Sequence, residues 1–420
     1  MKITVVFDIG KTNKKLFLFD QNYQIVFQKN ETLSETTDED GYPCEDIELL
    51  SHWVIESFRE IKQDSRFEIC AVNFSAYGAS FVHLGQDLKP ILPLYNYLKP
   101  VSDNVSNQFY ETYGGQENLA LQTASPVLGN LNSGMQLYGL KYQKPAIFAQ
   151  IKHSLHLPQY LSFLISSQCL SDITSVGCHT NLWNFQEKQY HDWVKKEGID
   201  SKLSLIAPSP IAQQTPRVGV GLHDSSAALI PYLATIKGDF ILISTGTWCI
   251  SLNPFNDSPL TFDELKQDCL CYLTHQGKPV KAARLFLGQQ HEEQTKRMAE
   301  HFGLSQVYFK TVEYNSEKIN NWNNDLAIYP NYETAYHALI RDFVRQQIVS
   351  VNLIYEKTKT QKLFVDGGFS KNKIYMSLLA EAYPDIEVYA ASVAQASALG
   401  AAVVVSEGIL PDNLIELNRF

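Results

Sequence analysis

Short apolar runs that stop at glycine punctuate this chain, and two of them share one form. Val5-Val6-Phe7-Asp8-Ile9-Gly10-Lys11-Thr12-Asn13 opens the sequence, and Leu242-Ile243-Ser244-Thr245-Gly246-Thr247-Trp248 lies past its midpoint. A second apolar run follows each turn, Leu16-Phe17-Leu18-Phe19 and Cys249-Ile250-Ser251-Leu252, so both predict β-hairpins. The first hairpin extends into a meander of strands at 3–7, 16–19 and 24–28. Helical periodicity runs from about 45 to 62, strands are expected at 68–74 and 80–84, and Ser75-Ala76-Tyr77-Gly78 reads as an exposed turn between them.

From about 100 to 221 the pattern is mainly helical, broken at Gly114-Gly115, Pro126, Pro145, Pro158 and Pro208-Ser209-Pro210. Strand character returns near 239. A hairpin at 270–274 and 280–286 follows, then helices at 288–302 and 333–357, a strand at 363–365, a helix at 371–382, a strand at 387–389 and a last helix at 394–406. Each half reads as a strand meander followed by alternating helices and strands, so the expected fold is α/β with one architecture used twice. The 420 residues exceed the roughly 250–300 at which a single core stops growing. Two domains are expected, 1–236 and 237–420.

Composition narrows the class. Hydrophobic content of 45% with 19% charged residues describes a globular chain with a sizeable core. A net charge of −10 with dispersed cations argues against a nucleic-acid partner, and Lys11, Lys14 and Lys15 form the one notable basic group. They flank the first glycine turn, where a nucleotide phosphate is the expected anion. Seven cysteines lack metal-site spacing beyond Cys269-Leu270-Cys271 and read as core or surface thiols. No window approaches 18 apolar residues and Met1 leads straight into a strand, so a cytoplasmic protein without membrane association is expected.

Glycine turns present backbone N–H groups without obstructing side chains, which suits a polyphosphate. Phosphoryl transfer needs such cradles, a metal to neutralise charge and a carboxylate to accept the proton of the acceptor hydroxyl. Gly10-Lys11-Thr12 and Thr245-Gly246-Thr247 are the candidate cradles, and Asp8 is placed either to organise Mg²⁺ or to cap its own turn. A third cluster, Val365-Asp366-Gly367-Gly368-Phe369-Ser370-Lys371-Asn372, joins a strand to a helix, lets a flat nucleoside approach the backbone and offers Ser370 as a helix cap. Neither a P-loop nor a dinucleotide fingerprint occurs. The base candidate is Asp224, in Gly219-Val220-Gly221-Leu222-His223-Asp224-Ser225-Ser226, at the first turn of a helix whose dipole would keep it ionised. His179 is read as a sugar-hydroxyl partner or a structural histidine; Tyr77 can stack on a sugar, and Trp248 is expected to pack against its hairpin.

Taken in order, Asp8-Ile9-Gly10, Gly221-Leu222-His223-Asp224, Ser244-Thr245-Gly246-Thr247-Trp248 and Asp366-Gly367-Gly368 with Ser370 and Asn372 resemble the motifs of the FGGY carbohydrate kinases, within the sugar-kinase, actin and Hsp70 superfamily. Nearly the whole chain takes part. The resemblance implies two ribonuclease-H-like domains hinged around a cleft, with the sugar mainly on the first and ATP mainly on the second. By position, it makes Asp224 the catalytic base and assigns Asp8 to Mg²⁺. Thr12, Asn13 and Lys15 join Gly10 at the phosphates, Thr245, Gly246 and Thr247 hold the γ-phosphate, and Gly367, Gly368, Ser370 and Asn372 hold the nucleoside. Ala76, Tyr77, Gly78, His179 and His223 would then line the sugar site. The Gly-Thr-Trp turn and the His-Asp pair are most similar to rhamnulokinases, which implies a ketose or 6-deoxyketose phosphorylated at a primary hydroxyl. Departures fall mostly in the sugar site: Ser75-Ala76-Tyr77-Gly78 and Ser80 stand where those relatives carry aspartates, and Tyr95-Asn96-Tyr97 where many carry Asp and Arg. Gln395 replaces a Glu at a position expected to lie opposite the chemistry. Kinases of other sugars or polyols, a nucleotide sensor without transfer, and a homodimer remain open readings.

Overall fold

The computed structural model describes every residue except 319–320, 357–358, 394, 409 and 412–413. Two mixed sheets carry the molecule. In the first, Lys2–Ile9 pairs antiparallel with Lys14–Phe19, which pairs in turn with Ile25–Glu31. On its other side Lys2–Ile9 runs parallel to Glu68–Ala76, beyond which lie the short parallel strands Arg217–Val218 and Leu222–His223. The second sheet repeats the plan. Phe240–Thr245 pairs antiparallel with Cys249–Asn253 and parallel with Lys362–Gly367, which leads to Glu387–Ser392. Pro279–Leu285 and Cys269–Leu273 extend one edge and Glu416–Arg419 the other.

The predicted helices follow their apolar spacing. Helix Ile47–Gln63 starts where the Asp46 carboxylate accepts from the N–H groups of Glu48 and Leu49, and it buries Leu50, Trp53, Val54 and Ile61. Trp53 meets the Phe7 ring edge-on at 5.7 Å, and Phe7 stacks on Phe74 at 5.6 Å. Helix Tyr332–Asn352 takes the corresponding place in the second half, capped by Asn331. Between strand Glu68–Ala76 and Asp224, Val105, Leu119, Leu182 and their neighbours form an apolar cluster of their own. There Phe109 packs against Tyr138 at 4.9 Å and Trp193 at 5.0 Å.

A seam of two helices joins the sheets. Asp224–Thr235 and Ala396–Val405 pack so closely that a Cβ on Gly400 would stand 1.9 Å from the Ala227 carbonyl oxygen, which only glycine permits. The second of these helices also lies on the first sheet, where the Asn73 amide donates to the Ala401 carbonyl at 2.8 Å. One apolar cluster therefore unites Val6, Phe17 and Phe19 with Phe240, Leu242 and Phe364. A layer shared in this way favours sliding of packed helices over free rotation of the halves.

Some sequence expectations change. Ser75 and Ala76 are not in an exposed turn; strand Glu68–Ala76 runs through both and buries them, because it has neighbours on either side. Helix Lys373–Ala382 is capped by Asn372, not Ser370, whose hydroxyl turns back to the Gly367 carbonyl at 2.8 Å. The helix expected to run to about Lys357 ends at Asn352, and the helix start expected at Ala394 lies outside the described residues. No described helix is long and apolar enough to cross a membrane.

Candidate functional site

Three parallel strands of the first sheet end in register. Ile9 is opposite Ala76, and Ala76 is opposite His223, so Asp8-Gly10, Tyr77-Gly78 and Asp224 all emerge at the carboxyl edge of one sheet. Such an edge is where open α/β sheets hold ligands. Asp224 opens the helix Asp224–Thr235, and its side chain is 38% exposed to the cleft. Burial among protein on its other sides pushes the carboxyl up to about 6, although the Ser225 N–H donates to Oδ1 at 2.6 Å and the Ser225 hydroxyl at 3.3 Å. The expected helix-dipole effect is thus outweighed by desolvation. The carboxyl of Asp8 is likewise raised to about 6, first by burial and then by repulsion from Asp224. Two carboxylates that feel each other across a cleft form a hard-oxygen pair suited to a divalent cation.

The three lysines of the first turn separate into different roles. Lys14 is buried: its ammonium donates to the carbonyls of Gly10 and Lys11, both at 3.0 Å, and pairs with Glu45. Glu45 also accepts the Tyr77 hydroxyl at 2.5 Å. Tyr77 is therefore anchored beneath the turn, with its ring 6.1 Å from that of Tyr97. Lys11 pairs with Glu35 at 2.7 Å. Lys15 points across the seam, where its ammonium donates to the Gln395 side chain at 3.1 Å. Thr12 and Asn13 stand exposed at the tip, and the Gly10 N–H closes the turn on the Asn13 carbonyl at 3.0 Å.

Gln395, expected to lie opposite the chemistry, lies against Lys15, and Ser397, which the sequence did not single out, lies against Asp8. The Ser397 hydroxyl donates to Asp8 Oδ2 at 3.0 Å, stabilising the ionised form against burial. Both residues sit at the start of helix Ala396–Val405, nearly the whole chain away from Asp8. Only the resemblance, through the Gln395 departure, marked that segment at all.

His223 lies against Asp224, and the His179 ring is 6.3 Å from that of His223. Gly78 carries no side chain because a Cβ there would stand 2.8 Å from His223 Nε2. The His223 ring stacks with Tyr272 of the second half at 5.9 Å, and its Nε2 is 3.4 Å from Asp224 Oδ1. Burial lowers His223 to about 4 and His179 to about 3, so both imidazoles are neutral at pH 7. His179 is tied by Nδ1 to the Leu131 carbonyl at 2.9 Å.

In the second half, Thr245, Gly246, Gly368 and Asn372 share one cavity of about 670 Å³ with His291 and Phe309, which the sequence did not single out. The backbone is tightly stacked here. A Cβ on Gly288 would approach the Gly246 carbonyl to 1.9 Å, and one on Gly367, with φ +88°, the Thr245 carbonyl to 2.0 Å. The Thr245 hydroxyl donates to the Asp366 carbonyl and accepts from the Phe369 N–H at 3.0 Å, so it locks the glycine loop. Asn372 accepts two helix N–H groups and donates to the Tyr336 hydroxyl at 2.8 Å, which positions that wall of the cavity. Thr247 lies on the turn itself, closed by the Gly246 N–H on the Trp248 carbonyl at 2.9 Å. Trp248 packs on Phe286 at 4.6 Å yet stays 42% exposed, less buried than a core position.

Comparison with known proteins agrees with this geometry. Residues 3–204 match the model of the FGGY family of carbohydrate kinases, N-terminal domain. A rhamnulokinase from Halalkalibacterium halodurans is 24% identical over 281 residues, covering 60% of this chain and 56% of that protein. One from Yersinia pestis is 24% identical over 237 residues, covering 54% and 47%. The chain thus spans about half the length of the curated relatives it matches. Among solved structures, a carbohydrate kinase from Novosphingobium aromaticivorans superposes with a TM-score of 0.80 at 21% identity, over 99% of this chain and 95% of that one. A ligand-bound xylulose kinase from Lactobacillus acidophilus gives 0.80 at 16% identity, over 100% and 93%. These show the two-domain fold of the solved sugar kinases. Residues 3–204 thus match the N-terminal domain of the FGGY family of carbohydrate kinases, and the whole chain takes the fold of the solved sugar kinases.

Proposed function

We propose that this protein transfers the γ-phosphoryl group of ATP to a primary hydroxyl of a ketose, of the rhamnulose, fuculose or xylulose type, in the cleft between residues 1–236 and 237–420. The observation that carries the reading is the pair Asp8 and Asp224, brought to one sheet edge and coupled electrostatically. Asp224 accepts the proton of the attacking hydroxyl. With a carboxyl near 6 it is mostly ionised at pH 7 and still basic enough to take that proton, the balance a general base needs. His223, neutral and against Asp224, fixes the carboxylate's surroundings and offers a polar edge to the sugar.

Asp8 fits Mg²⁺: the Ser397 and Ser75 hydroxyls favour its ionised form, and a second carboxylate, Asp224, stands near enough to be felt. When bound, Mg²⁺ supplies charge neutralisation on the phosphates. Lys15, Thr12 and Asn13 face the same phosphates from the first turn. Thr247 offers its backbone N–H and hydroxyl to the γ-phosphate beside the bare Gly246, Gly368 and Asn372 receive the nucleoside in the 670 Å³ cavity they line, and Gly367 and Ser370 shape the loop next to it. Gly78 and His179 would face the sugar, with Ala76 and Tyr77 packed behind them. Neutral polar groups there, in place of the aspartates of rhamnulokinase-like sequences, favour a different set of hydroxyl contacts.

The test is ADP release from ATP and Mg²⁺ against a panel of ketoses and polyols. A ketose should raise the rate well above the rate without acceptor. If ADP binds and no acceptor raises the rate, the chain is a nucleotide binder and the kinase reading is wrong.

A further inference from the structure

Beside the base lies a second donor set, softer than the Asp8–Asp224 pair. Cys178, His179 and His223 are all buried, and their ligand atoms lie within 4.8 Å of one another. Cys178 Sγ is 3.2 Å from His223 Nε2, which is 3.4 Å from Asp224 Oδ1. In a tetrahedral zinc site with bonds of 2.0–2.3 Å, such atoms stand about 3.3–3.6 Å apart, so small side-chain movements would suffice.

Three further observations point to a ligand. His179 adopts φ +40°, a left-handed conformation that a histidine holds at a cost. Its Nδ1 is fixed on the Leu131 carbonyl and its own carbonyl accepts from the Asn132 amide at 2.8 Å. A backbone carbonyl on one ring nitrogen leaves the other unprotonated and oriented, as second-shell partners do for metal-binding histidines. His223 Nδ1 is buried with no partner, so the ring is not held there by hydrogen bonding alone. The nearby Arg284 guanidinium, which would repel a cation, is paired with Asp268 at 2.7 Å.

We propose that Cys178, His179 and His223 form a binding site for a soft divalent cation, with Zn²⁺ as its probe and Asp224 as the available fourth ligand, and that occupation blocks phosphoryl transfer. One thiolate and two imidazoles select Zn²⁺ over Mg²⁺, so the site is distinct in chemistry from the Asp8 position. Binding breaks the Cys178 S–H bond, forms a sulfur–metal bond and releases the proton to solvent. The metal site does not rest on the kinase reading; only the inhibition does, because a metal that takes the Asp224 carboxylate removes the base and fills the sugar site.

The experiment is titration of the full, reduced chain with Co²⁺ and with Zn²⁺ against a chromophoric chelator. One equivalent should bind, and the Co²⁺ form should show thiolate-to-metal charge transfer in the near ultraviolet. Cys178→Ala should abolish that band and weaken Zn²⁺ binding by about 100-fold or more. Cys271→Ala, at a buried thiol outside the cluster, should change neither. Absence of the thiolate band, or unchanged Zn²⁺ affinity in Cys178→Ala, overturns the site. Should that variant fail to fold, His179→Gln decides: weaker Zn²⁺ binding with the band retained supports the site, and unchanged affinity overturns it. In turnover assays Zn²⁺ should compete with the sugar, and tight binding without inhibition overturns the regulatory half. A chain with no kinase activity would still give the metal titration its answer.

Discussion

The two glycine turns occupy equivalent places in equivalent sheets, yet they are built from opposite materials. Around Gly10 the chemistry belongs to side chains: Asp8 and Lys15 face the cleft, and a buried Lys14–Glu45 pair lies beneath. Around Gly246 it belongs to backbone, with Gly288 and Gly367 pressed onto the carbonyls of Gly246 and Thr245 where any Cβ would clash. One half supplies charge and the other supplies shape.

Adjacent lysines test the first turn. Lys14→Met leaves Glu45 buried without its cation and should cost about 3–5 kcal/mol in urea unfolding. Lys15→Met, one residue on, should leave stability nearly unchanged and lower kcat/KM for ATP. Equal stability losses in both would erase the distinction drawn between them. A smaller effect is expected at the seam. Gly400→Ala forces the two equivalent helices apart and should lower stability by about 1–3 kcal/mol, read from the same unfolding curves. An unchanged midpoint would mean that the seam yields freely.

In the second half, Asn372→Ala removes a helix cap and the Tyr336 contact together. About 1 kcal/mol of stability should be lost, with a higher KM for ATP. The smallest effect concerns pH. Asp224 and Asp8 both have carboxyls near 6 and the proposed function needs both ionised, so kcat/KM should fall as pH drops through about 6. Ser397→Ala removes a hydrogen bond that favours ionised Asp8, so the acid limb should move to higher pH by a fraction of a unit. A shift to lower pH, or none, would separate Ser397 from Asp8.

Local order was legible in the sequence where glycine and apolar period mark it. Both hairpins, the helix opening at Asp224 and the strand-to-helix glycine loop at Gly367 stand where the pattern put them. Buried strands hid the rest. Lys14–Phe19 is covered on both faces, so alternation could not say which of Lys14 and Lys15 turns inward. The same cover made Ser75 and Ala76 strand residues, not a loop. Contacts such as Ser397 to Asp8 and His291 to Tyr336 join distant segments through the tertiary fold alone. No local pattern announces them.

The central claim is that Asp224 takes the proton of the acceptor hydroxyl while the second half holds the nucleotide independently. The most direct measurement is turnover and ADP affinity of Asp224→Asn side by side with the unmodified chain. The account predicts kcat lower by about 10²–10⁴-fold with ADP affinity unchanged. Full turnover in Asp224→Asn would contradict it.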